Sequence, residues 1–209
     1  MVGDKIGGIV LYVIRHAEVA EDAEGTIRGL LNPPLDPKGR RDAKTVAKFF
    51  KDIPFSFVAT DDLKRTQQTA KPLSDAKGLR MEIDPDLRAW DVGTELEGED
   101  IEENKDEIAK LKTHSQLVPV GGQSWGNYER QVGDSFDRYV DRSLGEVDPG
   151  AIVVHGSYIQ ILAVRLGYSE PDEAYDHTPV DPAGIIAIYL TRAGLVMKIL
   201  EGERQATDE

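Results

Sequence analysis

Arg15 and His16 stand side by side directly after the apolar run Ile9-Val10-Leu11-Tyr12-Val13-Ile14, and His155-Gly156-Ser157 directly follows a second such run, Ala151-Ile152-Val153-Val154. Another cation, Arg65, lies shortly beyond Phe55 to Ala59. Short apolar runs rich in β-branched residues read as strands buried on both faces of a parallel sheet. Such sheets bind ligands beyond the carboxyl ends of their strands, so these runs would deliver two guanidinium groups and two imidazoles to one crevice. Gly156 and Ser157 would open a helix there, with their amides pointing outward. That set fits a doubly charged tetrahedral anion, and phosphate is the natural candidate. A neutral imidazole can attack phosphorus in line, while the arginines and the second histidine stabilise charge on the equatorial oxygens.

The elements needed to hold these groups can be read along the chain. Strands are expected at Ile9 to Ile14, Phe55 to Ala59, Leu79 to Ile83, Ala151 to Val154, Gly184 to Leu190 and Leu195 to Leu200, the last two joined by a hairpin at Thr191-Arg192-Ala193-Gly194. Helical spacing recurs at Ala43, Val46, Ala47 and Phe50. A second helix would be capped by Thr60, carry Asp61 and Asp62 in its first turn and end at Gly78. A third begins near Ser124 with Trp125, Tyr128, Val132, Phe136 and Val140 on one side, and a fourth follows His155 with Ile159, Leu162 and Leu166 inward. The pattern predicts a three-layer α/β/α sandwich with a mostly parallel central sheet and an antiparallel C-terminal strand.

With 209 residues the chain can bury one sizeable core, and it is expected to form a single domain over 1–209. A net charge of −13 argues against nucleic acid as a partner, because nothing would neutralise its phosphates. Having no cysteine, the chain makes no disulfide, thiolate nucleophile or Cys-ligated zinc site, and it suits a reducing cytoplasm, which is the expected location. Lys5 and the following apolar stretch imitate a signal peptide until Arg15 and His16 interrupt them. No apolar segment is long enough to span a bilayer, so no membrane association is expected.

These motifs, in this order, resemble those of the histidine phosphatase superfamily, the phosphoglycerate mutase-like enzymes. Arg15-His16-Ala17-Glu18 resembles the Arg-His-Gly signature, with Ala for Gly as in phosphohistidine phosphatase members. Arg28-Gly29-Leu30 with Pro34-Leu35-Asp36 through Gly39 and Ala43 is similar to the loop and helix that follow it. Asp62-Leu63-Lys64-Arg65-Thr66-Gln67-Gln68-Thr69-Ala70 matches the block carrying the second arginine. Gly121-Gly122-Gln123-Ser124 and Val154-His155-Gly156 resemble the later blocks. The resemblance implies a phosphoglycerate mutase-like fold, His16 as the nucleophile that becomes phosphohistidine, and Arg15, Arg65 and His155 on the phosphoryl group. Arg28, Gly29, Gly156 and Ser157 complete the expected substrate contacts, with no metal and no cofactor.

One departure bears directly on mechanism. The phosphatase branch usually reads Leu-Arg-Glu before a Gly, the Glu protonating the leaving oxygen, whereas this chain reads Leu87-Arg88-Ala89-Trp90-Asp91-Val92-Gly93. An absent general acid costs about a hundred- to ten-thousand-fold. Asp91, two residues on and on the same face of an extended segment, is the candidate substitute; a solvated loop aspartate, or one that binds Arg88, accounts for it equally. The variable lid expected at about 88–122 is acidic: Glu95 to Glu107 holds eight acids against one lysine. Such a lid disfavours strongly anionic substrates; a solvated amphipathic helix with Ile101, Ile108 and Leu111 inward accounts for the same residues.

Competing readings are weaker. Gly122-Gln123-Ser124-Trp125-Gly126 satisfies the Gly-x-Ser-x-Gly pattern of serine hydrolases, but a proline interrupts the preceding run, Leu117-Val118-Pro119-Val120, and the reading leaves Arg15, His16 and Arg65 unexplained. His16, His114, His155 and His177 show no metal-ligand spacing. The expected activity is metal-independent phosphomonoester hydrolysis of a small phosphorylated substrate or a phosphoprotein. A phosphate-binding module without turnover, or a phosphoglycerate-type mutase, is the alternative.

Overall fold

The computed structural model describes residues 6–20 and 25–200, so Lys5 of the signal-like N-terminus lies outside the described residues. Its strands are β1 (Ile9–Arg15), β2 (Val58–Thr60), β3 (Met81–Ile83), β4 (Gly150–Val154), β5 (Ile185–Thr191) and β6 (Gly194–Leu200). Its helices are α1 (Pro37–Phe49), α2 (Lys64–Lys77), α3 (Lys105–Thr113), α4 (Trp125–Gly145), α5 (Gly156–Arg165) and α6 (Pro171–Asp176), with a 3-10 turn at Pro85–Leu87. The sheet runs β3-β2-β4-β1-β5-β6, parallel from β3 to β1 and antiparallel from β1 through β5 to β6. This is the α/β sandwich expected from the alternating runs, and the C-terminal hairpin closes at Thr191–Gly194 as expected.

Alternation along each strand builds the layers. Leu11 and Val13 of β1, with Ile152 and Val154 of β4, pack against Tyr128 and Phe136 of α4 and Ile159 of α5. Tyr12 and Ile14, with Ala151 and Val153, face the other way onto Val46 and Phe50 beside α1 and Ala70 and Leu73 of α2. Full burial of each valine, leucine, isoleucine or phenylalanine among them contributes about 1.5–3 kcal/mol, which holds the central strands in a fixed register. That register aligns the strand ends: Thr60 pairs with Val153, and Val153 pairs with Ile14. Two residues beyond Val153 and Ile14, His155 and His16 therefore emerge side by side, and Asp61, one residue beyond Thr60, stands level with Val154.

Two local readings need correction. Thr60 does not cap α2; it ends β2, and its hydroxyl donates to the Val153 carbonyl at 3.1 Å. The helix starts later, with Leu63 at its N-cap, so Asp61 and Asp62 precede it. Gly78 ends the helix as expected, in the left-handed conformation. Ile101 is exposed and lies outside α3, while Leu111 is buried and Ile108 half-buried, so the inward face of that helix is shorter than the spacing suggested.

Gly39 in the first turn of α1 sits against the backbone of Glu18, and a Cβ there would lie 2.1 Å from the Glu18 carbonyl oxygen. The Asp36 side chain caps this helix through Gly39 N. Val19 bridges Leu35, so the helix start is fastened to the segment leaving His16. Ser124, the serine of the Gly-x-Ser-x-Gly pattern, is the buried N-cap of α4 and accepts from Asn127 N at 3.3 Å.

Candidate active site

His16 is held from both sides of the sheet. Its backbone N–H donates to the Val154 carbonyl at 2.9 Å, and its carbonyl accepts from Ala183 N at 3.2 Å. The ring is almost fully buried, and Nδ1 donates to the Ala17 carbonyl at 2.8 Å. With the proton on Nδ1, Nε2 keeps its lone pair. Burial first, then His155 and Arg65, push the His16 pKa well below 6.5. The imidazole is therefore neutral across the physiological range. Ala17 itself is fully buried and donates its N–H to Thr69 Oγ1 at 2.9 Å, tying the turn after His16 to α2.

Arg15 reaches the Val180 carbonyl at 2.8 Å through Nη1, while its buried Nε has no hydrogen-bond partner among the described residues. Buried donors are nearly always satisfied, so this one marks a place for an acceptor. Its guanidinium lies 3.5 Å from where a Cβ on Gly156 would be, and Thr178 Oγ1 lies 2.7 Å from the same point. Any side chain at 156 would fill the space between Arg15 and the N-terminus of α5, whose first amides have no intrahelical acceptor.

Arg65, buried in the first turn of α2, donates from Nη1 to the Leu31 carbonyl, from Nη2 to the Gly29 carbonyl at 3.0 Å, and from Nε to His155 Nδ1 at 3.2 Å. Burial, with repulsion from Arg28, lowers both Arg15 and Arg65 to about 10. Three arginines thus crowd together, an arrangement that an anion relieves. Gly29 is left-handed, and a Cβ there would stand 2.8 Å from Val92 Cγ2. His155 lies beside His16, ring centroids 5.3 Å apart, and its pKa is lowered, chiefly by burial.

Among the expected residues, the structure brings His16, His155, Arg15, Arg65, Arg28, Gly29 and Gly156 together. The Ser157 hydroxyl is engaged elsewhere: it meets Tyr128 Oη at 3.0 Å and accepts from Trp90 N at 3.4 Å. Tyr128 also donates to the Arg88 carbonyl at 3.1 Å. These bonds pin both sides of Ala89 near the start of α5. The Asp91 carboxylate accepts from Gly93 N at 3.1 Å, in a loop that Gln123 N fastens through the Asp91 carbonyl at 2.9 Å. Among the described residues no hydrogen bond joins Asp91 to the histidines or to Arg15 or Arg65.

Two residues of the site were not anticipated. Glu97, in the acidic segment, accepts from Leu30 N at 2.6 Å and acts electrostatically on Arg65. Asp61, fully buried, accepts from Leu63 N at 3.0 Å and from His155 Nε2. The acidic segment is fastened to the arginine loop by Ile27 N to the Glu99 carbonyl and Gly98 N to the Ile27 carbonyl, both 2.8 Å. No group of His, Cys, Asp and Glu able to hold a metal ion occurs among the described residues, and no helix there is long and apolar enough to cross a membrane.

The two buried, neutral histidines make stability depend on pH. Unfolding exposes imidazoles that bind protons near 6.5, whereas the folded site binds them only at lower pH. The contribution is fully present above about 6.5 and is lost as pH falls from there toward the folded values. Denaturant titrations are expected to show a loss of up to about 1.4 kcal/mol per pH unit for each histidine in that acid window. His16→Gln should remove part of that slope.

The chain resembles proteins carrying several different names. The probable phosphoglycerate mutase GpmB of Yersinia enterocolitica serotype O:8 is 39% identical over 162 residues, 75% of this chain and 74% of that one. The protein of the same name from Enterobacter sp. (strain 638) is also 39% identical, over 83 residues that span only 39% of its length and 40% of this chain. The alpha-ribazole phosphatase of Shigella flexneri superposes with a TM-score of 0.75 at 20% identity, over 95% of this chain and 99% of that chain. A mycobacterial glucosyl-3-phosphoglycerate phosphatase gives 0.73 at 19% identity, over 90% and 95%. At that identity the structural likeness establishes the fold. The sequence pattern of the histidine phosphatase superfamily (branch 1) matches residues 11–201, and the chain belongs to that superfamily.

Proposed function

We propose that this protein hydrolyses phosphomonoesters through a phosphohistidine formed on His16 Nε2, without a metal ion. The observation that carries the reading is the convergence of Arg15 and Arg65, both repelled by Arg28, on an imidazole that is neutral and has Nε2 unprotonated. In the first step the Nε2 lone pair forms the N–P bond in line while the bond from phosphorus to the leaving oxygen breaks. The leaving oxygen takes a proton from a carboxylic acid. Water then attacks the phosphohistidine, returns a proton to that carboxylate and releases phosphate, which restores neutral His16. Arg15, Arg65 and the α5 amides stabilise the equatorial oxygens throughout; His155 shapes the same cradle.

With alanine at position 89, the proton falls to Asp91, the carboxylate two residues on, or to Glu97, which stands on the arginine loop. The acidic segment near that loop weighs against phosphoglycerates and in favour of weakly anionic, cationic or peptide-borne phosphate esters. The mutase names among the relatives keep phosphoglycerate isomerisation as the second reading.

The test is hydrolysis of p-nitrophenyl phosphate and of an alkyl phosphate in EDTA, with mass spectrometry of acid-sensitive phosphate on His16 after rapid quench. Turnover of both esters with label at His16 is the expected result. Asp91→Asn or Glu97→Gln, whichever removes the acid, should slow the alkyl ester about a hundredfold or more and the nitrophenyl ester little. Phosphate binding without turnover would make the protein a binding module, and 2- to 3-phosphoglycerate interconversion outpacing hydrolysis would make it a mutase.

A further inference from the structure

The buried chain of hydrogen bonds behind His155 has two ends whose polarity cannot be reversed. At one end the Leu63 backbone N–H donates to Asp61 Oδ1 at 3.0 Å. At the other, Arg65 Nε–H donates to His155 Nδ1 at 3.2 Å. Between them His155 Nε2 meets Asp61 Oδ2, with both side chains essentially inaccessible to water. A backbone amide and a guanidinium are obligate donors, so the intervening proton has one place: on Nε2, directed at the carboxylate. Only a group offering two acceptors can occupy position 61 without setting a donor against a donor.

We propose that Asp61 is a positioning residue that fixes His155 as the Nε2–H tautomer and, through it, sets the orientation of the Arg65 guanidinium in the cradle. Asp61 continues β2 one residue past Thr60, level with Val154 and one step short of the row shared by the two histidines, and its carboxylate reaches His155 from there. Its negative charge is also the counter-charge buried closest to this imidazole, whose other charged or titratable neighbours are Arg65, Arg15 and His16. The activity part of the proposal rests on the phosphatase reading; the tautomer part does not.

Asp61→Asn separates this role from simple packing, because it is nearly isosteric. If the amide oxygen stays on Leu63 N–H, its NH2 faces Nε2 and forces the proton onto Nδ1, against Arg65 Nε–H. If the amide flips, its NH2 faces Leu63 N–H instead. Either way one donor pair is left opposed. The chain has four histidines, His16, His114, His155 and His177, so side-chain nitrogen NMR can resolve His155, with His155→Gln as the assignment control. The wild type is expected to show neutral His155 protonated on Nε2 at pH 7, and Asp61→Asn to lose that signature. For p-nitrophenyl phosphate, Asp61→Asn should lower kcat by up to about ten-thousand-fold, the loss seen when the carboxylate orienting a triad histidine becomes an amide. In a His155→Gln background the same change should cost less than threefold, since the two act as one unit. Finding Nδ1–H in the wild type overturns the proposal even if Asp61→Asn fails to fold. Full additivity of the two substitutions, or wild-type kcat in Asp61→Asn, overturns it as well. Absence of activity in the wild type with the Nε2–H signature intact would count against the phosphatase reading alone.

Discussion

His16→Ala is expected to abolish turnover of p-nitrophenyl phosphate, with kcat falling by about four to six orders of magnitude. Loss of a covalent nucleophile leaves only what binding and charge stabilisation supply. The substrate has a good leaving group, so little depends on the missing glutamate, and the assay isolates the attack. The buried imidazole occupies little volume and lies outside the main apolar clusters, so the variant should fold; an unchanged far-UV spectrum and retained phosphate binding would confirm that. The decisive comparison is made in EDTA. A His16→Ala protein that still turned over at one per cent of wild type would exclude a phosphohistidine on this residue.

Arg65→Ala is expected to be nearly as damaging and to act on two levels. The guanidinium is almost fully buried and links the Gly29 and Leu31 carbonyls to His155 Nδ1. Its removal takes a cation from the anion cradle and leaves the buried His155 Nδ1 unpaired, at a cost of about 1–3 kcal/mol. The expected fall in kcat/KM is about a thousandfold, accompanied by a measurable drop in Tm. Arg65→Lys should restore charge but not activity, because an ammonium cannot present three donors in the fixed plane these partners require. Recovery of more than a tenth of wild-type kcat/KM in Arg65→Lys would show that charge alone matters at this position.

Much of this arrangement was legible before any coordinates. The apolar runs that form β1 and β4 are bounded by charge, so Arg15, His16 and His155 had to lie at the carboxyl ends of central strands. Asp61 was not legible in the same way. Thr60, Asp61 and Asp62 are three good capping residues in succession, and local propensity makes all of them look like the start of a helix. What separates them is tertiary: the Val153 carbonyl claims the Thr60 hydroxyl and His155 claims Asp61. Tyr128 shows a related limit. Helical spacing put its ring in the core, where it is, but carries no information about the hydroxyl that reaches Arg88 and Ser157. Glu97 escaped notice because a carboxylate within a run of carboxylates carries no local mark of being the one that turns inward.

The backbone of the acidic segment is laced to residues 25–27, just ahead of the Gly29 and Leu31 carbonyls that steady Arg65. The acidic segment and the arginine cradle are therefore mechanically joined. Outward-facing acids such as Glu102 and Glu103 are free to drift as substrates change, whereas an insertion that slipped the pairing at Ile27 by one residue would disarm the enzyme before it altered what the enzyme accepts. In this part of the chain, exposed side chains can be exchanged more freely than the length can be changed.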